Sequence, residues 1–121
     1  MVRPNLAKSP LLDFNQVDYA QALKTDQLIV LYFYADWCPI CQAETETALY
    51  PVFNQLSESN VIGFRVNFKD GATDEAEEAL ARQFGIAYQH TKVLVKNGQS
   101  VLKSPATWVQ ADYQQQINTN L

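Results

Sequence analysis

The stretch Tyr34-Ala35-Asp36-Trp37-Cys38-Pro39-Ile40-Cys41 decides how this chain folds. It follows an almost continuously apolar run, Gln27-Leu28-Ile29-Val30-Leu31-Tyr32-Phe33-Tyr34, which reads as a strand buried on both faces of a parallel-type sheet. It opens a segment of helical period from Cys38 to about Leu56, in which Cys41, Thr45, Ala48, Leu49, Val52, Phe53 and Leu56 recur at three- and four-residue steps. Pro51 falls inside that segment and is expected to bend or break it near Tyr50. Cys38 and Cys41 are the only two cysteines. Three apart at a helix start, they share one face, close enough for the roughly 4.4–6.8 Å between Cα atoms that a disulfide needs. The unpaired N–H groups and dipole of a helix start favour an anion. Cys38 is therefore the expected nucleophile and Cys41, one turn in, the resolving thiol.

On the amino-terminal side, residues 1–10 hold two prolines, a Ser and an Asn and read as an irregular lead-in, with a very short strand near Leu11-Leu12. Asp13 or Asn15 caps a helix through about Lys24, with Phe14, Val17, Tyr19, Ala20 and Leu23 as its apolar positions. On the other side, Ser57-Glu58-Ser59-Asn60 leads into a strand from Val61 to Phe68. Lys69 to Asp74 form a turn and cap, and Glu75 to Phe84 a helix closed by Gly85. The acidic group Asp74, Glu75, Glu77 and Glu78 suits that helix start without a further role. Asn97-Gly98, between Thr91-Lys92-Val93-Leu94-Val95 and Ser100-Val101-Leu102-Lys103, marks a hairpin. Ser104-Pro105-Ala106-Thr107 starts a last helix to about Asn118, with Trp108, Val109, Tyr113 and Ile117 apolar. This order predicts an α/β fold, a central mixed sheet with helices on both faces, as one domain over residues 1–121.

Composition narrows the function. The chain of 121 residues is 47% apolar and 18% charged with a net charge of −4, and it has no basic run or face. That argues against nucleic acid and against an anionic membrane surface as partners. The longest apolar window, Leu28 to Ala35, is far short of the roughly 20 residues that span a bilayer. Met1-Val2-Arg3-Pro4-Asn5-Leu6 carries one charge and lacks the apolar stretch of a signal peptide.

The strand leading into Ala35-Asp36-Trp37-Cys38-Pro39-Ile40-Cys41, the strand end Val66-Asn67-Phe68, the approach Phe84-Gly85-Ile86 and the hairpin turn Lys96-Asn97-Gly98-Gln99 together resemble the thioredoxin-fold thiol-disulfide oxidoreductases over nearly the whole chain. The resemblance implies reversible exchange of disulfides with protein substrates through Cys38 and Cys41, with electrons passing between sulfurs and no dissociable cofactor. It implies a docking groove lined by Trp37, Pro39, Ile40, His90 and Thr91, where a substrate backbone adds as a strand. The partners would be protein disulfide or dithiol substrates and an upstream reductase or oxidase, with the chain itself a monomer.

Three positions depart from the family pattern. His90, the sole histidine, stands before Thr91 where the family has a cis-proline. Tyr32 occupies the place of a buried acid in the strand before the motif, and Pro39-Ile40 replaces the Gly-Pro of reducing thioredoxins. The Pro39-Ile40 form and the lead-in lean towards an exported, periplasmic protein, although a cytosolic one also fits. His90 has three readings: a loop residue satisfied by a backbone carbonyl, an imidazolium facing the cysteines and favouring the Cys38 thiolate, or a ligand. In the last case Cys38, Cys41 and His90 would form a copper or zinc site in a metallochaperone-like module. Tyr32 and Tyr34 read as core, and Glu44 and Glu46 as a solvated helix face.

Overall fold

Strand β2 (Leu28–Tyr34) is sealed from water because it is paired on both edges and covered on both faces. In the computed structural model, which describes residues 10–56 and 60–121, β2 pairs in parallel with β3 (Val61–Asn67) and antiparallel with β4 (Lys92–Lys96). β1 (Leu11–Asp13) adds to the far side of β3, and β5 (Gln99–Ser104) to β4. The sheet order is β1-β3-β2-β4-β5. The expected lead-in, apart from Pro10, and Ser57 to Ser59 lie outside the described residues.

Alternate β2 side chains feed two cores, as the two-residue period of a strand requires. Leu28, Val30 and Tyr32 pack with Leu49, Val52, Phe53, Tyr113 and Ile117 on one face. Ile29, Leu31 and Phe33 pack on the other with Tyr19 of α1 (Gln16–Leu23) and Leu80 and Ala81 of α4 (Glu75–Phe84). Asn15 caps α1, its side chain accepting from the Asp18 N–H at 2.8 Å. The buried positions of α1 are Tyr19 and Ala22. Val17, expected to be apolar core, is 72% exposed, and Leu23 and Ala20 also face water. With only eight residues, α1 lays a narrow stripe on the sheet, and Phe14 before it supplies the remaining contact.

Two punctuation signals are used as their chemistry demands. Asn97 and Gly98 have φ of 53° and 78°, the doubly positive turn that matches hairpin twist. Gly85 closes α4 at φ 65°. The acidic start of α4 is a reciprocal cap: Asp74 Oδ1 accepts from the Glu77 N–H, Glu77 Oε1 accepts from the Asp74 N–H, and Glu77 Oε2 accepts from the Asn67 N–H at the end of β3.

The long helix after the motif is interrupted. It runs as α2 (Pro39–Glu44), a wider turn over Thr45–Leu49 in which the Tyr50 N–H reaches back five residues to Thr45 O, and α3 (Tyr50–Gln55). Pro51 has no N–H to offer Thr47 O, four residues back, and that carbonyl instead accepts from Gln110 Nε2 at 2.9 Å. The Thr45 and Thr47 hydroxyls bond to Cys41 O and Ala43 O, which also bends helices. The break therefore falls before the proline. Gln110 begins the last helix, α5 (Gln110–Asn120), six residues later than the expected start at Ser104, which ends β5 instead. The start is set by Asp112, whose carboxylate accepts from the Val109 N–H at 2.9 Å.

Gly63 of β3 is where the α3 side of the core comes closest: an added Cβ would lie 2.7 Å from Phe53 Cζ and 2.8 Å from Leu11 Cδ1. Gly63→Ala should lower the unfolding free energy by about 1–3 kcal/mol through overpacking. Gly71→Ala, whose added Cβ meets nothing within 4 Å, should leave the denaturation midpoint unchanged.

Candidate active site

β2 ends beneath a loop that is tied down at both ends. The Asp36 N–H donates to Asp70 Oδ2 at 2.9 Å and Trp37 Nε1 donates to Lys69 O at 2.8 Å, fastening the motif to the turn after β3. Cys38 caps α2: its Sγ accepts from the Cys41 N–H at 3.1 Å, and its carbonyl from the Gln42 N–H at 3.1 Å. Both cysteines are free thiols and both are buried. Burial foremost, then the hydrogen bond with Cys38, pushes the Cys41 thiol up from 9.0 to about 12, against the downward pull of the Ala35 backbone and the Tyr32 hydroxyl.

Behind Cys41 lies a charge pair where a solvated face was expected. Glu44 is buried, and its Oε2 meets Lys92 Nζ at 2.8 Å with both side chains at 0% exposure. Glu44 follows Cys41 by three residues and precedes Ala48 by four, so it lies within the inward stripe of the helix. Only Glu46 of the two glutamates faces water. Lys92 stands opposite Tyr32 in the β2–β4 register. Its ammonium also donates to His90 O at 2.7 Å and to Ala106 O, and lies 5.2 Å from the Trp108 ring. The Tyr113 hydroxyl donates to the same Glu44 oxygen at 2.5 Å. Burial lowers the Lys92 pKa although Glu44 pulls it up. Tyr113 and Tyr32 are both raised, first by burial and then by the Glu44 charge.

The expected docking residues fall into two sets. Trp37 and Ile40 are 53% and 48% exposed, and Pro39 between them is open to water. Thr91 is buried, with its hydroxyl donating to Tyr88 O at 2.8 Å and its carbonyl accepting from the Phe33 N–H. The His90 N–H donates to Phe33 O at 2.7 Å, which ties this loop to the end of β2. All peptides are trans among the described residues, and His90 makes the turn with φ 55°. Its Nδ1 is buried without a hydrogen-bond partner among the described residues, so no carbonyl there satisfies the ring at that atom. Among the described residues no three His, Cys, Asp or Glu side chains are grouped to hold a metal ion, so the copper or zinc set of Cys38, Cys41 and His90 is not assembled.

Sequence reasoning missed three residues here. Tyr88, 64% exposed, is an aromatic in the polar loop Ala87-Tyr88-Gln89-His90. Glu44 and Lys92 carried a readable signal, opposite charges at inward positions of a helix and a central strand.

Two free thiols close together at the head of a helix, on a mixed sheet of this order, are the arrangement a thiol-disulfide oxidoreductase requires. The family model described as Thioredoxin matches residues 10–119. A thioredoxin-like protein of Fusarium culmorum is 32% identical over 88 residues, covering 67% of this chain and 68% of its own length. Thioredoxin H4 of Arabidopsis thaliana is 33% identical over 90 residues, covering 72% of this chain and 66% of that protein. Among solved structures, Trxlp from Edwardsiella tarda EIB202 superposes with a TM-score of 0.72 at 28% identity, over 88% of this chain and 97% of that one. The chain belongs to the thioredoxin family.

Breaking the charge pair should be costly. Lys92→Met leaves the Glu44 carboxylate buried with Tyr113 as its remaining donor, and the unfolding free energy should fall by about 3–5 kcal/mol; adding Glu44→Met should recover most of that loss. The thiol of Cys41 gives a second expectation. Its pKa is higher in the fold than in the open chain, so its contribution to stability is complete below about pH 9 and is lost as pH rises towards 12. The melting-temperature difference between the reduced protein and Cys41→Ala should therefore be flat to about pH 9 and narrow above it.

Proposed function

We propose that the chain exchanges disulfides with protein substrates, Cys38 attacking and Cys41 resolving. The observation that carries this reading is the asymmetry of the pair. Cys38 sits at the head of α2, where its Sγ accepts the backbone N–H of Cys41 at 3.1 Å. Cys41 is fully buried and its thiol is held protonated. The Cys38 thiolate attacks one sulfur of a substrate disulfide; that bond breaks, and the other sulfur leaves with the electron pair and takes a proton from water. A mixed disulfide remains until Cys41 attacks Cys38 Sγ, closes the intramolecular disulfide and releases the second substrate thiol. No dissociable cofactor enters.

The docking surface is the exposed apolar set Trp37, Pro39 and Ile40, extended by Tyr88, with the His90-Thr91 loop beside it offering backbone to an extended chain. The family implies protein disulfides as the class of substrate and, in general, a reductase as the class of partner.

Cys41→Ser should accumulate mixed disulfides with a disulfide-containing protein, visible as dithiothreitol-sensitive adducts by mass. Cys38→Ser should form none. Adducts in neither variant, or equally in both, would sink the assignment of roles.

A further inference from the structure

A lysine whose side chain is wholly buried on an inner strand needs an acceptor for each of its three N–H bonds. Lys92 has three acceptors, and each belongs to a different part of the site. Its Nζ meets Glu44 Oε2 of α2 at 2.8 Å, His90 O at 2.7 Å and Ala106 O. The last two are backbone carbonyls of separate loops, one joining α4 to β4 and the other joining β5 to α5. The two loops face each other across a hollow of about 170 Å³, with Ala87, Tyr88 and Thr91 on one side and Lys103 and Pro105 on the other. Tyr88 and Thr91 also belong to the docking surface, so the hollow continues it. A carbonyl turned away from water and left without a partner costs about as much as a lost hydrogen bond. A wall that loses the ammonium therefore gains by swinging its carbonyl out to solvent. Neither wall has helix or strand to resist this. His90 is at φ 55°, a conformation that non-glycine residues seldom take, and its N–H is fixed to Phe33 O while its carbonyl is held by Lys92. Ala106 lies in an irregular stretch, with Pro105 and Thr107 exposed on either side.

We propose that Lys92 is a positioning residue for protein substrates: its ammonium clamps the His90 loop to the Ala106 segment and so fixes both walls of the docking surface before a substrate arrives. This rests on the reading of Trp37, Tyr88 and the His90-Thr91 loop as the place where a protein chain docks. Lys92 touches no substrate in this scheme and acts through the two walls. Walls that are already ordered spare the complex the entropy of ordering them. Only a substrate long enough to lie along them gains from that. A protein disulfide therefore needs the clamp, whereas a small disulfide that reaches Cys38 alone does not.

The test is made in the Cys41→Ser protein, where only the attack of Cys38 is read, with and without the added pair Glu44→Met/Lys92→Met. Removing both charges avoids a buried carboxylate without its partner, and Glu44→Leu/Lys92→Leu takes over where the Met pair does not fold. Mixed-disulfide formation is followed by acid quenching and mass with two substrates, insulin and bis(2-hydroxyethyl) disulfide. Loss of the clamp should slow the reaction with insulin about tenfold, the equivalent of ordering one further residue on binding, and leave the rate with the small disulfide unchanged. Amide hydrogen exchange should quicken at His90 and stay as slow as before in β3. Insulin and the small disulfide slowed by the same factor, as a general loosening of the structure would give, overturns the proposal, and so does an unchanged rate with insulin. Should the Cys41→Ser protein form no adduct with insulin at all, the docking reading fails, and the clamp then stands or falls on the exchange rate at His90 alone.

Discussion

A charge pair closed off from water joins the two halves of the site: Lys92 on β4 and Glu44 on α2, 2.8 Å apart with neither side chain exposed. Taking two charges out of water costs several kcal/mol per ion, so such a pair persists only where further hydrogen bonds complete it. Here they do. Lys92 Nζ has Glu44, His90 O and Ala106 O as acceptors, and Glu44 Oε2 has the Tyr113 hydroxyl as a second donor. Through these contacts β4, the His90 loop, the segment before α5 and α5 itself are all held to the helix that carries the cysteines. Misplacing either charge would leave the other buried and unpaired, which is costly.

The interruption of the dithiol helix serves the same arrangement. Thr45–Leu49 forms a wider turn and Pro51 withholds an N–H, leaving Thr47 O to Gln110 at the start of α5. α5 is in this way docked by both its first residue and Tyr113. Trp108, just before it, meets the Tyr113 ring edge-on at a centroid distance of 5.0 Å and roofs Lys92. The cysteines belong to the same buried cluster as these rings, so the chemistry of Cys41 is set by the packing of α5 as much as by its own helix.

At the mouth of the site a loop without proline achieves its turn by a different route. His90 adopts φ 55°, a conformation that costs a non-glycine residue about 1–2 kcal/mol. Its N–H and carbonyl are fixed by Phe33 O and Lys92 Nζ. The same ammonium that pairs with Glu44 therefore also holds the carbonyl of the His90 loop.

The local elements were legible from residues alone: β2 from its apolar run, the Cys38/Cys41 pair from its spacing, α4 from Asp74 and Gly85, and the hairpin from Asn97-Gly98. Each depends on side-chain period or on dihedral preference within a few residues, which the chain carries wherever it goes. The fate of Glu44 and Lys92, the conformation of His90, the late start of α5 and the exposure of Val17 were decided by tertiary structure. A charged side chain is buried or solvated according to what stands opposite it, and the partner of Glu44 arrives from a strand far along the chain. By its sequence this protein determined where two thiols would sit at the head of a helix; by folding it determined which groups surround the inner one, since only packing brings residues distant in the chain against it and excludes water.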